Sequence, residues 1–324
     1  MPRALWVTAP GHAELRDAPL PPAGPDDLVI HTLASGISRG TERLVFQGRV
    51  PASQHAAMRA PLQEGDFGFP VKYGYCAVGR VGGRVGGRAG DGRRVFALAP
   101  HQEAFVAPAS LCAALPDALP TARAVLGANM ETALNILWDA RPLAGERALV
   151  VGAGIVGLLT AYLLARIPGV VVTVTDIDAS RATIAEALGA RFTAADAVPP
   201  EQELIIHASA SEAGLILALA RAAFEARIIE ASWFGEARPC LPLGEAFHQR
   251  RLTLLSTQVG SVAPAMRGRR SYGERMALAL RLLCDDRLDA LLEPPTPFDE
   301  LPARYAALLE QPALCPVISY GDPL

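Results

Sequence analysis

A short glycine turn, set between two apolar segments, constrains the fold of this chain more than any other feature. The apolar run at 147–151 has the length of a buried strand, and Gly152-Ala153-Gly154-Ile155-Val156-Gly157 follows it directly. The first glycine permits a sharp turn, the second lets a phosphate approach the backbone, and the third lets a helix pack closely on the strand. The N-terminus of that helix offers N–H groups to an anion. The turn residues predicted to contact a dinucleotide are Gly152, Gly154, Ile155, Val156 and Gly157.

A second apolar run, at 170–175, ends at Asp176, about 20 residues beyond the turn. A carboxylate at this position accepts hydrogen bonds from the adenosine ribose hydroxyls and repels a 2′-phosphate, so the sequence predicts NAD as the cofactor in preference to NADP. Arg181 is a candidate for contact with the adenosine side, which would soften that preference. The alternative is a strand-helix-strand unit without a ligand, in which Asp176 and Arg181 are surface residues.

A further strand is predicted at 203–208. Ligands of open α/β sheets bind beyond the carboxyl ends of the strands, so Ala208 and Ser209 are expected to border the nicotinamide ribose. His207, in the same strand, is explained equally well as a packed residue or as a contact.

Strands and helices alternate along the middle of the chain, which predicts an α/β fold with a doubly wound parallel sheet and helices on both faces. The first third instead carries short strands bounded by glycine and proline. A last strand at 315–320 is expected to return to this β-rich part. The strands predicted for the parallel sheet are 147–151, 170–175, 203–208, 226–231 and 252–257, and the helices after the turn are 155–166, 179–188, 212–224, 272–284 and 299–310.

The tetrapeptide at 81–84 is repeated at 85–88, as Val-Gly-Gly-Arg. Two copies are too few for a repeat architecture, so this glycine-rich segment predicts a hairpin. Arg84 and Arg88 are expected to be solvated, and a phosphate contact by the two is the alternative.

Composition limits the classes of partner. The chain has 324 residues and a net charge of −3, so it shows no basic field for nucleic acid. Its five cysteines include no C-x-x-C pair, which argues against a disulfide framework or a zinc ribbon. The sequence has no signal-peptide hydrophobic region and no apolar run of about 18 residues. We therefore expect a cytoplasmic protein with no membrane or nucleic-acid partner.

Two segments of the β-rich part match known motifs. Gly36-Ile37-Ser38-Arg39-Gly40-Thr41-Glu42 is similar to G-I-C-G-T-D, and the segment 69–81 is similar to P-x-x-x-G-H-E-x-x-G-x-V. With the turn at 90–95 and the dinucleotide unit, they make the whole chain resemble the medium-chain dehydrogenase/reductase superfamily, which includes the zinc-type alcohol dehydrogenases. Within it, the S-x-G-T-E element loosely resembles the bacteriochlorophyllide dehydrogenase branch.

The resemblance implies a domain plan and an assembly. A GroES-like catalytic domain is expected at 1–121, a Rossmann dinucleotide-binding domain at 122–260, and a return to the catalytic domain at 261–324. Relatives suggest a homodimer formed through the sheet of the coenzyme domain.

The positions that hold catalytic zinc in relatives are changed here. They read Ser38 or Arg39, then Tyr75, Cys76 and approximately Ala128. Catalytic zinc takes three protein ligands, and Cys76 alone cannot supply them. The cysteine-rich lobe of structural zinc is also missing from the sequence. We therefore expect no metal; the alternative is a different site formed by Cys76, His101 and Glu131.

Without a metal, a hydrogen-bond donor has to stabilise charge on the substrate oxygen. The resemblance places Tyr75 there as the donor, Thr41 at the position of a proton-relay hydroxyl, and Glu42 as an anchor, beside Ser38. The alternative for Tyr75 is an aromatic ring that fills the space left by zinc.

Three further polar residues are expected outside the chemistry. Lys72 is expected to be solvated, and His101 and Glu131 to have surface or capping roles.

The resulting hypothesis is a zinc-independent, NAD-dependent oxidoreductase that interconverts a small-molecule alcohol and a carbonyl in the cleft between two domains. A zinc-free enone or quinone reductase is one alternative. A protein that binds NAD(H) as a sensor or scaffold, without catalysis, is another.

Overall fold

The computed structural model describes residues 1–82, 84–85 and 88–321, without the side chains of residues 84, 85, 88 and 89. Within this part, the helices are α1 Arg39–Phe46, α2 Thr121–Ala124, α3 Gly127–Ala140, α4 Ile155–Leu164, α5 Ala182–Ala187, α6 Glu212–Arg221, α7 Tyr272–Leu282 and α8 Leu301–Glu310. The strands before the glycine turn are β1 Arg3–Ala9, β2 His12–Asp17, β3 Asp27–Gly36, β4 Glu64–Gly65, β5 Val71–Lys72, β6 Ala77–Gly82, β7 Arg84–Val85, β8 Arg88–Ala89, β9 Arg94–Ala97, β10 Ala104–Pro108, β11 Cys112–Ala114 and β12 Arg147–Val151. The strands after it are β13 Val171–Thr175, β14 Arg191–Phe192, β15 Gln202–His207, β16 Ala222–Glu230, β17 Thr253–Ser256, β18 Thr296–Pro297 and β19 Val317–Ser319.

The chain divides into two compact units. One unit contains residues 1–128 and 276–324, and the other contains residues 129–275. The domain boundaries predicted from the sequence, after residues 121 and 260, remain our proposal for the functional domains.

The second unit is built on a parallel sheet with the strand order β14-β13-β12-β15-β16-β17. The order reverses between β12 and β15, the first and fourth strands of the sheet, where ligands of doubly wound folds bind. Strand β12 lies at the centre, with Val151 opposite both Thr175 and His207. The predicted doubly wound parallel sheet is confirmed.

Helices cover both faces of this sheet. Leu149 and Val151 of β12 pack in one core cluster with Leu215 of α6. Successive strand residues point to opposite faces, so Val150 faces the other side, where Gly157 at the start of α4 lies against it. From Gly157 onward every residue of α4 is buried, as expected for a helix that is apolar on all sides.

Several helices are shorter than predicted, and at the end of α6 the predicted helical residues belong to a strand instead. The helix expected at 212–224 ends at Arg221, and residues 222–224 begin strand β16. Ala222 pairs with Gln202 of the neighbouring strand and is fully buried. Sheet pairing therefore overrides the helical preference of alanine at this position.

The first unit is rich in antiparallel sheet. Strands β11-β9-β6-β3-β19-β18 follow one another in one sheet, with β10 also paired to β3, and β2-β1-β5-β4 form another. The C-terminal strand β19 pairs antiparallel with β3, with Ile318 opposite Ser35. The predicted return of the last strand to the N-terminal β-rich part is confirmed. A core cluster lies under the larger sheet, and its bulkiest members are Ile30, Val81, Val95 and Phe105.

Two short paired strands lie at the glycine-rich repeat for which a hairpin was predicted. Strand β7 pairs antiparallel with β8, with Arg84 opposite Ala89. The Arg84 and Arg88 side chains, for which solvation was predicted, lie outside the described residues.

Among the described residues, none of the helices combines the length and apolar character that crossing a bilayer requires.

Candidate active site

The glycine turn follows the central strand of the parallel sheet, and its backbone leaves no room for side chains at two positions. Gly152 has a φ of +108°, and a Cβ on it would lie 2.8 Å from the carbonyl carbon of Ala208 and the amide nitrogen of Ser209. A Cβ on Gly157 would overlap the Gly152 carbonyl oxygen. These glycines therefore allow the turn to contact the end of β15 and the start of α4 at once.

Gly154 differs from the other two, because a Cβ placed on it would meet nothing within 4 Å. It is the N-cap of α4 and carries no side chain to cap the helix. The space next to Gly154 is therefore open, and the first two amides of α4, those of Ile155 and Val156, come directly after this residue. A phosphate fits such a position, because an uncapped helix N-terminus attracts negative charge.

Asp176 lies beside this turn. Its Oδ2 accepts a hydrogen bond from the Ala153 amide at 2.6 Å, and its Oδ1 accepts one from the Asp178 amide at 2.9 Å. The Gly152 amide also donates to the Thr175 carbonyl at 2.9 Å, which ties the ends of β12 and β13 together. A carboxylate has about four acceptor positions, so Asp176 keeps capacity for a further donor.

Arg181 is not the surface residue that the ligand-free alternative assumed. It is 8% exposed, and its Nε lies 3.1 Å from Oδ2 of Asp178. Its predicted contact with adenosine remains a prediction.

Ala208 and Ser209 lie directly against the turn. The Ala208 amide donates to the Val151 carbonyl at 2.8 Å, which continues the pairing of β12 with β15. His207, the last residue of β15, is fully buried. The structure thus places the predicted cofactor residues of β12, β13 and β15 at the carboxyl edge of one sheet.

In the first unit, Ser38, Thr41 and Tyr75 form a cluster of hydroxyl groups. Ser38 is the N-cap of α1, and Thr41 lies in the first turn of that helix. The Tyr75 hydroxyl donates to Oγ of Ser38 at 2.6 Å, and the nearby Thr41 side chain acts to lower the pKa of Tyr75. Two of the positions that the resemblance assigns to zinc ligands, Ser38 and Tyr75, therefore carry hydroxyl groups here, and the Thr41 hydroxyl lies beside them.

Glu42 supports this cluster from a fully buried position. Its Oε1 accepts from the Ser38 amide at 2.7 Å, and its Oε2 accepts from the Tyr305 hydroxyl at 2.7 Å. Nε2 of His101 lies 2.9 Å from the same Oε2. Three partners thus fix the carboxylate, and through the Ser38 amide it fixes the start of α1.

The prediction of a surface or capping role for His101 was wrong. The ring is 1% exposed, and its Nδ1 lies 2.7 Å from Oγ of Ser35. Oγ of Ser35 is in turn 2.8 Å from the Tyr320 hydroxyl. His101 therefore joins Glu42 to the C-terminal strand region through a continuous row of hydrogen bonds.

Burial changes the acidity of this region. It raises the pKa of the Tyr75 phenol above its ordinary value of about 10, and neighbouring Cys76 adds to the effect. Burial also raises the pKa of Tyr305 well above that value. Both phenols therefore keep their protons at neutral pH and act there as hydrogen-bond donors.

The residues at the motif positions do not fit a zinc ion. Zinc in proteins is held by Cys, His, Asp or Glu side chains, and Cys76 is the only one of these at the motif positions. Ser38 and Tyr75 offer neutral hydroxyls. In the part of the chain that the structure describes, no group of three or more His, Cys, Asp or Glu side chains could hold a metal ion.

Two other expectations about polar residues were wrong. Lys72 is 3% exposed rather than solvated, and its Nζ bonds Oε1 of Gln102 at 2.8 Å and Oε1 of Glu64 at 2.5 Å. Glu131 is buried as well, with Oε1 3.0 Å from Nε of Arg275. Burial raises the pKa of Glu131, although Arg275 opposes the change.

Sequence reasoning missed Ser35, Tyr305 and Tyr320 as parts of the Glu42 network. Tyr305 and Glu42 are separated by 263 residues, and Tyr320 and Ser35 by 285. No local pattern connects positions so far apart. The only signal was the expected return of the last strand, which brings the C-terminal segment to β3.

No family model matches the sequence, and no curated protein does. Solved structures, in contrast, match over nearly the full length. Acetophenone reductase from Geotrichum candidum, in complex with NAD, has 16% identity and a TM-score of 0.78, with 100% of this chain and 98% of that chain covered. 2R,3R-butanediol dehydrogenase from Bacillus subtilis has 16% identity and a TM-score of 0.77, with 98% of this chain and 99% of that chain covered. A candidate zinc-binding dehydrogenase from Sinorhizobium meliloti, bound to NADP, has 18% identity and a TM-score of 0.78, with 98% of this chain and 99% of that chain covered.

These likenesses establish the fold. The chain has the architecture expected from its resemblance to the medium-chain dehydrogenases, with a Rossmann unit and a GroES-like β-rich unit. The predicted fold class is therefore confirmed.

Proposed function

We propose that this chain, which has the fold of the medium-chain dehydrogenases, is a member of that superfamily and an NAD(H)-dependent oxidoreductase acting on a small-molecule alcohol or carbonyl. The observation that carries the proposal is the hydrogen bond from the Ala153 amide to Asp176. It joins the acidic residue that follows β13 to the glycine turn that follows β12, and β12 borders the reversal point of the sheet, where dinucleotides bind in doubly wound folds.

The residues present fit a dinucleotide. Gly152 and Gly157 form the tight turn, Gly154 leaves open space, and α4 provides an uncapped N-terminus for the pyrophosphate. Asp176 supports NAD over NADP, because a fixed carboxylate accepts from ribose hydroxyls and repels a 2′-phosphate. Arg181 is already held by Asp178, which favours a minor effect on this choice.

Bound NADH supplies the hydride, and the chain has to manage the proton and the charge on the substrate oxygen. Tyr75 is the proposed donor. Its raised pKa keeps the phenol protonated, so with substrate bound it can donate to a carbonyl oxygen instead of to Ser38 throughout the neutral range. An alkoxide is far more basic than a phenolate, so the proton still moves readily to the reduced substrate.

The remaining residues position Tyr75. Ser38 holds its hydroxyl, and the neighbouring Thr41 is the proposed relay by which the proton is replaced. Glu42 holds the Ser38 amide. Its negative charge also opposes ionisation of Tyr75, which supports a role as donor rather than as base.

Zinc independence is part of the proposal. It is supported by the residues at the motif positions, where Ser38 and Tyr75 carry hydroxyl groups and Cys76 is the only residue of a type that commonly holds zinc. Purified protein is expected to contain well under one zinc per chain and to keep its activity after treatment with a chelator. Stoichiometric zinc that activity requires would overturn this part.

We also propose a homodimer formed through the parallel sheet. Strand β17 is an edge strand, paired with β16 alone among the described residues, and Leu254 and Leu255 are 36% and 42% exposed. An exposed apolar edge usually needs cover. Light scattering of the protein and of Leu255→Lys tests the assembly, with a monomeric wild type as the contradicting result.

The decisive experiment measures binding of NADH and NADPH by calorimetry, followed by assays with NAD⁺ on alcohols and with NADH on ketones, aldehydes and enones. Tighter binding of NADH and turnover of an alcohol or carbonyl are expected. Turnover of enones alone would favour a C=C reductase. Tight NADH binding without turnover of any substrate, and without an effect of Tyr75→Phe, would favour a sensor.

A further inference from the structure

His207, Ser209 and Glu230 form a hydrogen-bonded row at the carboxyl edge of the parallel sheet. Oγ of Ser209 lies 2.7 Å from Nε2 of His207, and Nδ1 of His207 lies 2.6 Å from Oε2 of Glu230. His207 and Glu230 are direct partners in the pairing of β15 with β16. The sheet register therefore fixes the histidine and the carboxylate against each other.

The hydrogen-bond partners of His207 determine which of its two ring nitrogens carries the proton. The Glu230 carboxylate is further held by the Ser232 amide, which donates to Oε1 at 2.7 Å. A carboxylate facing Nδ1 of His207 places the imidazole proton on that nitrogen. Nε2 is then an acceptor, and it receives the hydroxyl proton of Ser209. This is the tautomer in which an imidazole activates a serine as a nucleophile.

The surrounding packing holds the imidazole in place. His207 is fully buried, and the Phe234 ring stacks on it at 6.1 Å between centroids with an angle of 21°. Gly214, in the first turn of α6, leaves space for the row, because a Cβ there would overlap Oγ of Ser209 and lie 2.9 Å from Nε2 of His207. Ser209 itself is half-buried. A small electrophile can therefore reach the serine although the histidine is enclosed.

The N-terminus of α6 lies beside Ser209. Its N-cap, Ser211, has its Oγ 2.9 Å from Oγ of Ser209 and accepts from the Gly214 amide. Among the described residues, the amides of Glu212 and Ala213 have no acceptor. Free amides at a helix N-terminus stabilise negative charge, as an oxyanion formed at the serine requires.

We propose that Ser209 is an activated nucleophile that accepts an acyl group from small carboxylic esters and thioesters, with His207 as general base and Glu230 as the carboxylate that orients it. This acyl-transfer activity is separate from hydride transfer and needs no cofactor.

The reaction balances with water as the second reactant. Oγ of Ser209 forms a bond to the acyl carbon while its proton passes to Nε2 of His207. The bond from the acyl carbon to the alcohol or thiol breaks, and the leaving group takes the proton from Nε2. Water then attacks the acyl-serine by the same route, which releases the carboxylic acid and restores Ser209.

The position of Ser209 links this reaction to the glycine turn. A Cβ on Gly152 would lie 2.8 Å from the Ser209 amide nitrogen, so the serine borders the turn directly. A dinucleotide bound at the turn covers the serine, and NADH is therefore expected to slow acylation. This last expectation alone rests on the proposed function.

The test uses the full chain, a fluorophosphonate probe with peptide mass spectrometry to locate the labelled residue, and hydrolysis of p-nitrophenyl acetate. We expect stoichiometric labelling of Ser209 and loss of both signals in Ser209→Ala. His207→Gln and Glu230→Gln should each slow labelling by roughly tenfold or more. Ser271→Ala, which changes an exposed serine bonded to Glu274, is the matched control and should leave labelling unchanged.

Absence of label on Ser209, or equal labelling rates in the wild type and His207→Gln, would overturn the proposal. Circular dichroism of each variant shows whether the fold is kept, and Glu230→Gln provides a second variant with a small steric change. The two proposals fail separately: labelling without protection by NADH contradicts the cofactor site, whereas NADH binding without labelling contradicts the acyl-transfer site.

Discussion

The Ala153 amide donates to Oδ2 of Asp176 across 2.6 Å, so one carboxylate fixes the glycine turn and faces the predicted ribose position. The turn conformation and the proposed cofactor preference therefore depend on the same carboxylate. Two substitutions distinguish the roles of the Asp176 side chain: Asp176→Asn removes its negative charge but keeps a hydrogen-bond acceptor, and Asp176→Ala removes both.

Asp176→Asn is expected to keep an acceptor for the Ala153 amide while losing the charge. NADH affinity should fall by roughly tenfold to a hundredfold, because a charge-assisted hydrogen bond contributes about 1.5–3 kcal/mol, and the preference over NADPH should shrink or reverse. Asp176→Ala should also lower thermal stability. Calorimetric titration checks the affinities, with Asp196→Asn, at an exposed site, as the control. Equal losses for both cofactors would contradict the assignment of Asp176.

Gly154→Ala is expected to weaken dinucleotide binding without lowering stability, whereas Gly157→Ala is expected to lower stability. A methyl group on Gly154 meets open space, so stability should be unchanged or slightly higher while dinucleotide binding weakens. A methyl group on Gly157 overlaps the Gly152 carbonyl oxygen, so the free energy of unfolding should fall by about 1–3 kcal/mol. Urea denaturation and NADH titration measure the two effects. Unchanged NADH affinity in Gly154→Ala would argue against phosphate approach at that position.

Tyr75→Phe tests the proton donor. The ring keeps its edge contact with Tyr73 at 5.9 Å, so the fold should be retained. If the hydroxyl acts in catalysis, kcat should fall by roughly 10² to 10⁴-fold with NADH affinity unchanged. Steady-state kinetics and NADH titration on the same preparation give both values. A kcat equal to that of the wild type would support the space-filling role instead.

Tyr305→Phe tests the anchor of Glu42. The variant leaves a fully buried carboxylate without one of its three partners, so the free energy of unfolding should fall by about 1–3 kcal/mol. Tyr272→Phe changes an exposed tyrosine that bonds the Gly260 carbonyl, and it should change stability by less than about 0.5 kcal/mol. Urea denaturation compares the two. Similar small effects in both variants would show that Tyr305 does not hold Glu42.

Alkaline pH should destabilise the first unit through its buried phenols. Burial raises the pKa of Tyr75 and Tyr305 in the folded state, so below the unfolded value of about 10 both states are protonated and this contribution is fully present. Above about pH 10 the unfolded chain loses these protons first, and stability falls. Tyrosinate absorbance followed against pH should show these residues ionising together with unfolding. Their ionisation in the folded protein near pH 10 would contradict the shift.

Local sequence determined the elements that carry the proposed dinucleotide site. The glycine turn, the apolar runs of β12 and β13, and Asp176 lie within a short segment, and each has a physical role that depends on its neighbours in the chain. Alternation of strands and helices then predicted the parallel sheet, because period and length distinguish the two kinds of element. The motif at 36–42 also brought Ser38, Thr41 and Glu42 together, since they share the first turn of one helix.

Only the tertiary structure decided the partners of buried polar groups. Glu42 meets His101 and Tyr305, and Lys72 meets Gln102, through contacts between segments far apart in the chain. From sequence alone, a single polar residue is expected to be solvated. When the fold buries such a residue, its polar atoms need hydrogen-bond partners, and only the folded structure shows which residues these are. The same applies to His207 and Glu230, whose pairing follows from the register of two parallel strands. Residue types and their spacing predicted the parallel sheet, whereas the register of its strands decided which polar side chains pair at its carboxyl edge.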